Sequence, residues 1–355
     1  MIRSSHRAPT FATGPLPGVL DRFGIRSARQ LAHDVAFALR GMRSGQAFQV
    51  GLSSVGFARP ELSIPAYAGL VPVDGLAPIY HLFDRTTGGV RYSQRVTRLT
   101  ARDFRGGRLT YDDHDGTDFV CPVGTPLCAA APGMVVAIRD RWLRGGLTVF
   151  VDHGHGVVTQ YTHCTRATRA VGERVARGQE LARSGVSGLD LAISFPWVPP
   201  HVHFSAWAAG QVLDPFRPPG EPERAGLWAH EPLPRPAPAQ ADEAFPGPSP
   251  VDDAALDALC EACTDAEIRA ELERPGATRA ELAAIVEDAL HHERHAFAPS
   301  LLGRAVRPPG ISQTPAALAI RLTLPLPASD YVGSRFADAP WTRPGRRPAA
   351  GELPR

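Results

Sequence analysis

The chain has 355 residues, a formal net charge of +2 and 21% charged residues. No excess of either sign points to nucleic acid or to an acidic partner. The absence of lysine and asparagine excludes Schiff-base, P-loop, lipoyl-lysine and biotinyl-lysine chemistry as well as N-glycans.

Residues 1–26 read as a poorly ordered N-terminus. Its weak cationic flank precedes a stretch broken by Gly14, Pro15, Pro17 and Gly18, which makes a poor signal peptide. No apolar run is long enough to span a membrane. Localisation therefore stays open: cytoplasmic as written, or the cell envelope or extracellular space by an export route that is not visible. Residues 27–106 form an α+β accessory region. Ser27 with Gln30 makes a capping box, and Leu31, Val35 and Leu39 share one face, predicting a helix over 28–43. Beyond it, Gln46–Val50 and Val90–Leu99 are extended segments among Pro and Gly turns.

Residues 107–216 are β-dense, with short strand-like runs separated by glycine turns. Ten prolines between Pro218 and Pro250 make 217–250 a semi-stiff linker or an extended strap. Residues 251–297 switch to helix. Ser249-Pro250 is read as an N-cap with a first-turn proline, and Thr264/Glu267 and Thr278/Glu281 as capping boxes. Leu282, Ile285, Val286, Ala289 and Leu290 make one apolar face. The Pro- and Arg-rich tail, 298–355, has one strand candidate, the alternation Leu318, Ile320, Leu322, Leu324.

The histidines cluster within the β-dense region. They fall in His114-Asp115-Gly116-Thr117-Asp118, in Asp152-His153-Gly154-His155 with Tyr161-Thr162-His163, and in His201-Val202-His203. His114 and Asp118 straddle a turn and can converge on one ion. His201 and His203 point to one face of a strand, so one can bind a metal while the other reaches the same cleft. Two imidazoles and a carboxylate with an open position make the pattern of catalytic zinc. Three other sets look alike and are set aside. His81-Leu82-Phe83-Asp84 is too sparse a pair. Cys260-Glu261-Ala262-Cys263 lacks a second pair, and its cysteines fit helix packing. His291-His292-Glu293-Arg294-His295 is read as a solvated helix end, where histidine is favourable.

The runs HDGTDFVCPVGTPLCAAAPGMVVAI, VFVDHGHGVVTQYTHC, VGERVARGQELARSGVSG and PHVHFSAWAAGQVLDP together resemble the lysostaphin-like (LytM-type) zinc endopeptidases that act on peptidoglycan, over roughly 107–216. The resemblance implies a mainly β catalytic core, a small antiparallel sheet or sandwich of hybrid-barrel type. It implies one zinc ion per chain held by His114, Asp118 and His203, with His163 and His201 acting at the catalytic water and the scissile carbonyl. It implies an endopeptidase whose partner is a peptidoglycan or peptide substrate; no protein partner is identifiable. Two other readings remain: a non-enzymatic wall-binding protein with a structural metal, and a peptidase acting on proteins. His153 is taken as structural, His155 as a turn residue, and Cys121, Cys128 and Cys164 as buried thiols. The chain departs from the family in twelve residues, LDLAISFPWVPP, between Gly188 and His201. Their prolines predict a semi-rigid flap, with Phe195 and Trp197 as candidates for gripping a substrate at the cleft.

Overall fold

The structure is a computed structural model. It describes residues 18–25, 27–29, 31–32, 35–36, 49–50, 52–86, 95–142, 145–217, 226–238, 243–293, 296–301, 306 and 320–339. The described strands are β1 (Gln49–Val50), β2 (Leu76–His81), β3 (Arg95–Val96), β4 (Thr117–Val120), β5 (Pro126–Cys128), β6 (Gly133–Arg141) and β7 (Gly146–Asp152). They continue with β8 (Val157–Ala167), β9 (Arg174–Val175), β10 (Glu180–Ser184), β11 (His201–Ala208), β12 (Gln211–Leu213) and β13 (Gly333–Phe336). One sheet of eleven strands runs in the order β13-β2-β4-β11-β8-β7-β6-β9; β10 pairs with β5 and β8, and β12 with β11. The pairing is antiparallel except between β13 and β2. The core is thus mainly β, with helices before and after it.

β7 is buried along its whole length, GLTVFVD, because both faces of the sheet are covered. Alternate side chains enter different cores. Val149 and Val151 join Phe119, Tyr161, Phe204 and Trp228 on one face. Phe150 joins Val136, Val158 and Trp207 on the other, under Leu256, Leu259, Ile268, Ile285 and Val286 of the C-terminal helices. On β11 the same alternation sends Val202, Phe204 and Ala206 into the first core, leaving His201, His203, Ser205 and Trp207 in a row on the opposite face. That face is a cleft at one end of β11 and lies under helices at the other.

Several expected boundaries fall inside packed structure. β2, ahead of residue 107, pairs with β4, and β13, in the tail, pairs with β2, so one sheet draws on three of the predicted regions. β2 and the helix Pro60–Tyr67 were not legible in the sequence. Residues 18–25, expected to be disordered, make a helical turn, Val19–Arg22. The Arg22 carbonyl accepts a hydrogen bond from Val186 N–H. Of the helix expected over 28–43, residues 28–29, 31–32 and 35–36 are helical, and the remainder lies outside the described residues. Val35 is exposed, so the proposed apolar face buries nothing there.

Residues 226–238 of the proline-rich stretch pack against the tail. Leu227, Trp228 and Ala237 are buried, and Trp228 and Pro236 bridge to Leu322 and Leu324. Of the strand expected over 318–324, residues 318–319 lie outside the described residues and Leu322 and Leu324 form these isolated bridges; the regular strand among the described residues of the tail is β13. Two predicted caps shift. The caps are Asp252 and Asp265, because a carboxylate directly before the first turn reaches its free N–H groups. Ser249 instead donates to Asp152 Oδ1 at 2.5 Å and accepts from Gly156 N–H at 2.7 Å, fastening the strap to the Asp152–Gly156 turn. Thr278 does cap the helix Arg279–His292.

That helix is bound to β6 by charge as well as by apolar contact. The buried guanidinium of Arg139 meets Glu271 at 2.8 Å and Glu293 at 3.4 Å, and also pairs with Asp288. Removing one partner strands the others, because a buried charge without its counter-charge costs about 3–5 kcal/mol. Arg139→Met is therefore expected to lower unfolding free energy by about that much in a denaturant titration; an unchanged midpoint would mean that apolar packing alone holds the helices.

Candidate metal centre and cleft

Register builds the site. His81 on β2 stands opposite Asp118 on β4, Asp118 opposite His203 on β11, and His203 opposite Thr162 on β8. Directly opposed residues project to the same side of a sheet, so a histidine, a carboxylate and a second histidine line up across three strands. His114 joins them from the turn before β4. Its Nε2 lies 3.2 Å from both Asp118 Oδ1 and His203 Nδ1, and these two lie 2.9 Å apart. Gly116 is required between them: a Cβ there would stand 2.8 Å from the His203 ring and 2.7 Å from the Phe204 carbonyl.

The hydrogen bonds behind these atoms decide where the protons sit. His114 Nδ1–H donates to the Leu82 carbonyl at 2.7 Å, leaving Nε2 a lone pair. His203 Nε2 faces Asp115 Oδ1 at 3.1 Å, an outer carboxylate that would hold its proton and leave Nδ1 as the atom for an ion to take. Asp118 Oδ2 accepts from His81 Nδ1 at 3.1 Å, freeing Oδ1. Three ligand-type atoms, Nε2 of His114, Nδ1 of His203 and Oδ1 of Asp118, are thus turned on one point. That donor set fits a metal cation.

The other two histidines of the motif stand beside it. His201 Nδ1–H donates to the Pro199 carbonyl at 2.8 Å and His163 Nδ1–H to the Ser187 carbonyl at 2.8 Å. The Nε2 atom of each faces a carboxylate, Asp118 Oδ2 at 3.7 Å for His201 and Asp190 Oδ2 at 3.6 Å for His163, and their rings are 4.9 Å apart. Burial pushes His201 down to about 4, against the attraction of Asp118, so the imidazole is neutral at neutral pH. A regular continuation of the β8–β11 pairing would turn His163 away from His201. Its backbone is instead left-handed, φ 66°, a conformation that costs a non-glycine residue about 1–3 kcal/mol. This turn ends the pairing and brings the ring beside His201.

The cleft has a volume of about 720 Å³, with His81, Asp118 and His201 at its base and Leu52, Val55, Ile193 and Trp197 among its walls. The inserted segment splits in two. Its helix, Leu189–Ser194, and Trp197 line the cleft. Phe195 does not; it packs edge-on against Tyr67 at 4.9 Å and Phe23 at 5.6 Å, so its expected place in the cleft is corrected to a foot of the flap. The neighbours that hold it come from residues 23 and 67, which no local pattern could supply.

Some residues of the site were not legible in the sequence. His81, set aside as a sparse pair, supports Asp118, while Asp84 accepts from Asp113 N–H at 3.0 Å and shapes the turn that carries His114. Asp190, in the insertion, places Oδ2 3.6 Å from His163 Nε2. His291 and His292 are not a solvated helix end: both reach Asp115, at 2.9 and 2.8 Å, and His291 packs on the Trp207 ring at 4.9 Å. His295 lies outside the described residues. All five cysteines are free thiols, and neither Cys260 nor Cys263 belongs to a group able to hold a metal among the described residues. His153 is tied at both nitrogens, to the Pro132 carbonyl and the Thr159 hydroxyl.

Three residues able to hold a metal, one of them lining a cleft, with two further histidines beside them, make an arrangement of metallopeptidase type. Residues 112–215 match the model of peptidase family M23, and this stretch, which contains all five motif residues, is an M23 domain. It is 31% identical over 104 residues to the peptidoglycan DD-endopeptidase ShyA of Vibrio cholerae, covering 29% of this chain and 22% of that protein. It is 32% identical over 106 residues to the DD-carboxypeptidase/endopeptidase Mpg of Neisseria meningitidis, covering 30% and 23%. The matches therefore span about a fifth of the length of these curated relatives. The catalytic domain of the antimicrobial peptidase lysostaphin from Staphylococcus simulans is 27% identical, over 29% of this chain and 75% of that one, with a TM-score of 0.25. Among the described residues no helix is long and apolar enough to cross a membrane.

Two outcomes test this geometry. His81→Ala removes the donor on Asp118 Oδ2 and should weaken metal affinity by about 10–100-fold in a chelator competition, with the circular dichroism spectrum unchanged. Trp197→Ala should raise KM or alter cleavage preference at constant melting temperature, whereas Phe195→Ala should lower the melting temperature; the reverse pattern would exchange their roles.

Proposed function

We propose that the protein is a zinc-dependent endopeptidase that hydrolyses peptide bonds in peptidoglycan. The observation that carries the reading is the convergence of three ligand-type atoms on one point beside two further histidines, His163 and His201, whose rings are 4.9 Å apart. A structural metal site would need neither His163 nor His201, and this favours an enzyme over a non-enzymatic wall-binding protein. The names of the relatives support peptidoglycan as the substrate.

His114, Asp118 and His203 would hold the ion, because two imidazoles and one carboxylate suit zinc better than the all-oxygen shells of calcium or magnesium. Zinc in that position supplies Lewis acidity toward a carbonyl oxygen and toward water. The chain's own groups do the rest. A substrate peptide lies along the cleft between Trp197 and the Leu52–Val55 wall, and this apolar lining excludes water from the reacting bond. His201 and His163 each present Nε2 to the scissile amide. Between them they take the proton of the attacking water and return it to the departing amine, and once protonated they donate to the developing oxyanion. The carbonyls of Pro199 and Ser187 hold both rings in the tautomer this requires.

Metal content, rate on purified cell walls and mass spectra of the released fragments test the assignment together. Asp118→Ala and His203→Ala should lose the ion at this centre and the activity. His163→Ala and His201→Ala should keep the ion and lose about a hundredfold or more in rate. If His201→Ala loses the ion and His203→Ala keeps it, the two histidines exchange roles. If the metal-loaded protein leaves walls intact while cleaving denatured protein, the substrate is protein.

A further inference from the structure

Behind His203, on the side away from the cleft, a second set of ligand-type atoms meets. Asp115 Oδ2 lies 2.9 Å from His291 Nε2 and 2.8 Å from His292 Nε2. The three side chains are 13–18% exposed, so the place is sheltered yet open to an ion. Neighbouring residues on a helix project about 100° apart, but here both rings turn onto one carboxylate. Their planes cross at 88° with centroids 4.6 Å apart, and the Trp207 ring lies against His291. His292 Nδ1 is 2.9 Å from Asp288 Oδ1, and Asp288 is paired with Arg139. A carboxylate on Nδ1 fixes the proton there and leaves Nε2 as a ligand atom, the arrangement that orients metal-bound histidines in general.

We propose that Asp115, His291 and His292 form a second metal site, for zinc or a similar divalent transition ion. Two imidazole nitrogens and one carboxylate oxygen favour such an ion over calcium or magnesium. Asp115 joins this site to the first, since its other oxygen, Oδ1, faces His203 Nε2 at 3.1 Å. An ion here would tie the end of the helix Arg279–His292 to the turn that carries His114 and would steady His203 from behind. The proposal is independent of the peptidase reading, because the three ligands lie outside the cleft and a non-enzymatic protein could bind the ion equally well. The competing account is a hydrogen-bonded network in which His292 is an imidazolium between Asp115 and Asp288.

The test is zinc content of the full chain, loaded with zinc and freed of excess by dialysis, with cobalt(II) absorption as a second readout. About two equivalents are expected for the wild type, about one for His291→Gln/His292→Gln, and about one for Asp118→Ala. Cobalt loading should give two sets of ligand-field bands, one of them lost in the double variant. One equivalent in the wild type, absent from Asp118→Ala and retained by the double variant, would overturn the second site and leave the first standing. Two equivalents in both wild type and double variant would also overturn it. The wild-type count needs no substitution, so a variant that fails to fold does not block the test.

Discussion

A carboxylate with no solvent around it sits at the middle of this fold. Asp118 is buried on β4, and burying an ionised group costs many kcal/mol unless charge and hydrogen bonds answer it. Four imidazoles surround it: His81 donates to Oδ2 and His201 lies toward the same oxygen, while His114 and His203 lie at Oδ1. Burial alone would push the carboxyl up; without an ion, charge on the surrounding imidazoles outweighs it and holds it well below the usual range, and a bound cation would take over that charge. Each imidazole is anchored in turn by a backbone carbonyl or a carboxylate, except that His81 Nε2 has no partner among the described residues and lies at the base of the cleft. An ionised Asp118 therefore presupposes β2, the turn before β4, and β11 in their registers.

The parts around the M23 stretch are built into the same packing. The C-terminal helices cover the face of the sheet that carries Trp207, and the strap covers the opposite face with Trp228. β13 and β2 extend the sheet beyond β4. The family match ends at residue 215, yet Asp115 within it depends on His291 and His292, and the turn at Asp152 depends on Ser249. Catalytic geometry and the flanking regions share one set of contacts, so a change in either is felt by the other.

The inserted segment shows how the cleft acquires its character. Its helix begins at Gly188, which has φ 110° and where a Cβ would stand 2.8 Å from the Gly145 backbone. This close approach sends the chain over the cleft and brings Asp190 beside His163. Phe195 anchors the far end between Phe23 and Tyr67, and Arg59 N–H donates to the Trp197 carbonyl. Held at both ends, the segment gives the cleft a fixed apolar wall.

The motif residues were legible in the sequence because their spacing is local. A turn brings His114 and Asp118 together, strand alternation puts His201 and His203 on one face, and glycines mark where backbone must pass close. The helix Arg279–His292 and its Thr278 cap were legible for the same reason, since 3.6-residue periodicity and capping are properties of neighbours. The rest depends on residues far apart in the chain. His81 reaches Asp118 across 37 positions and His292 reaches Asp115 across 177, and neither period nor cap encodes such a pairing. Ser249 made a plausible cap until Asp152 offered a buried carboxylate. His291 and His292 suited a helix end in water until Trp207 and Asp115 were packed against it. By itself the sequence determined the β-rich core, the C-terminal helix and the histidine–aspartate motif, whose causes lie within a few residues; tertiary structure alone decided which buried groups neutralise one another, because that is settled by strand register and by the packing of helices against a sheet.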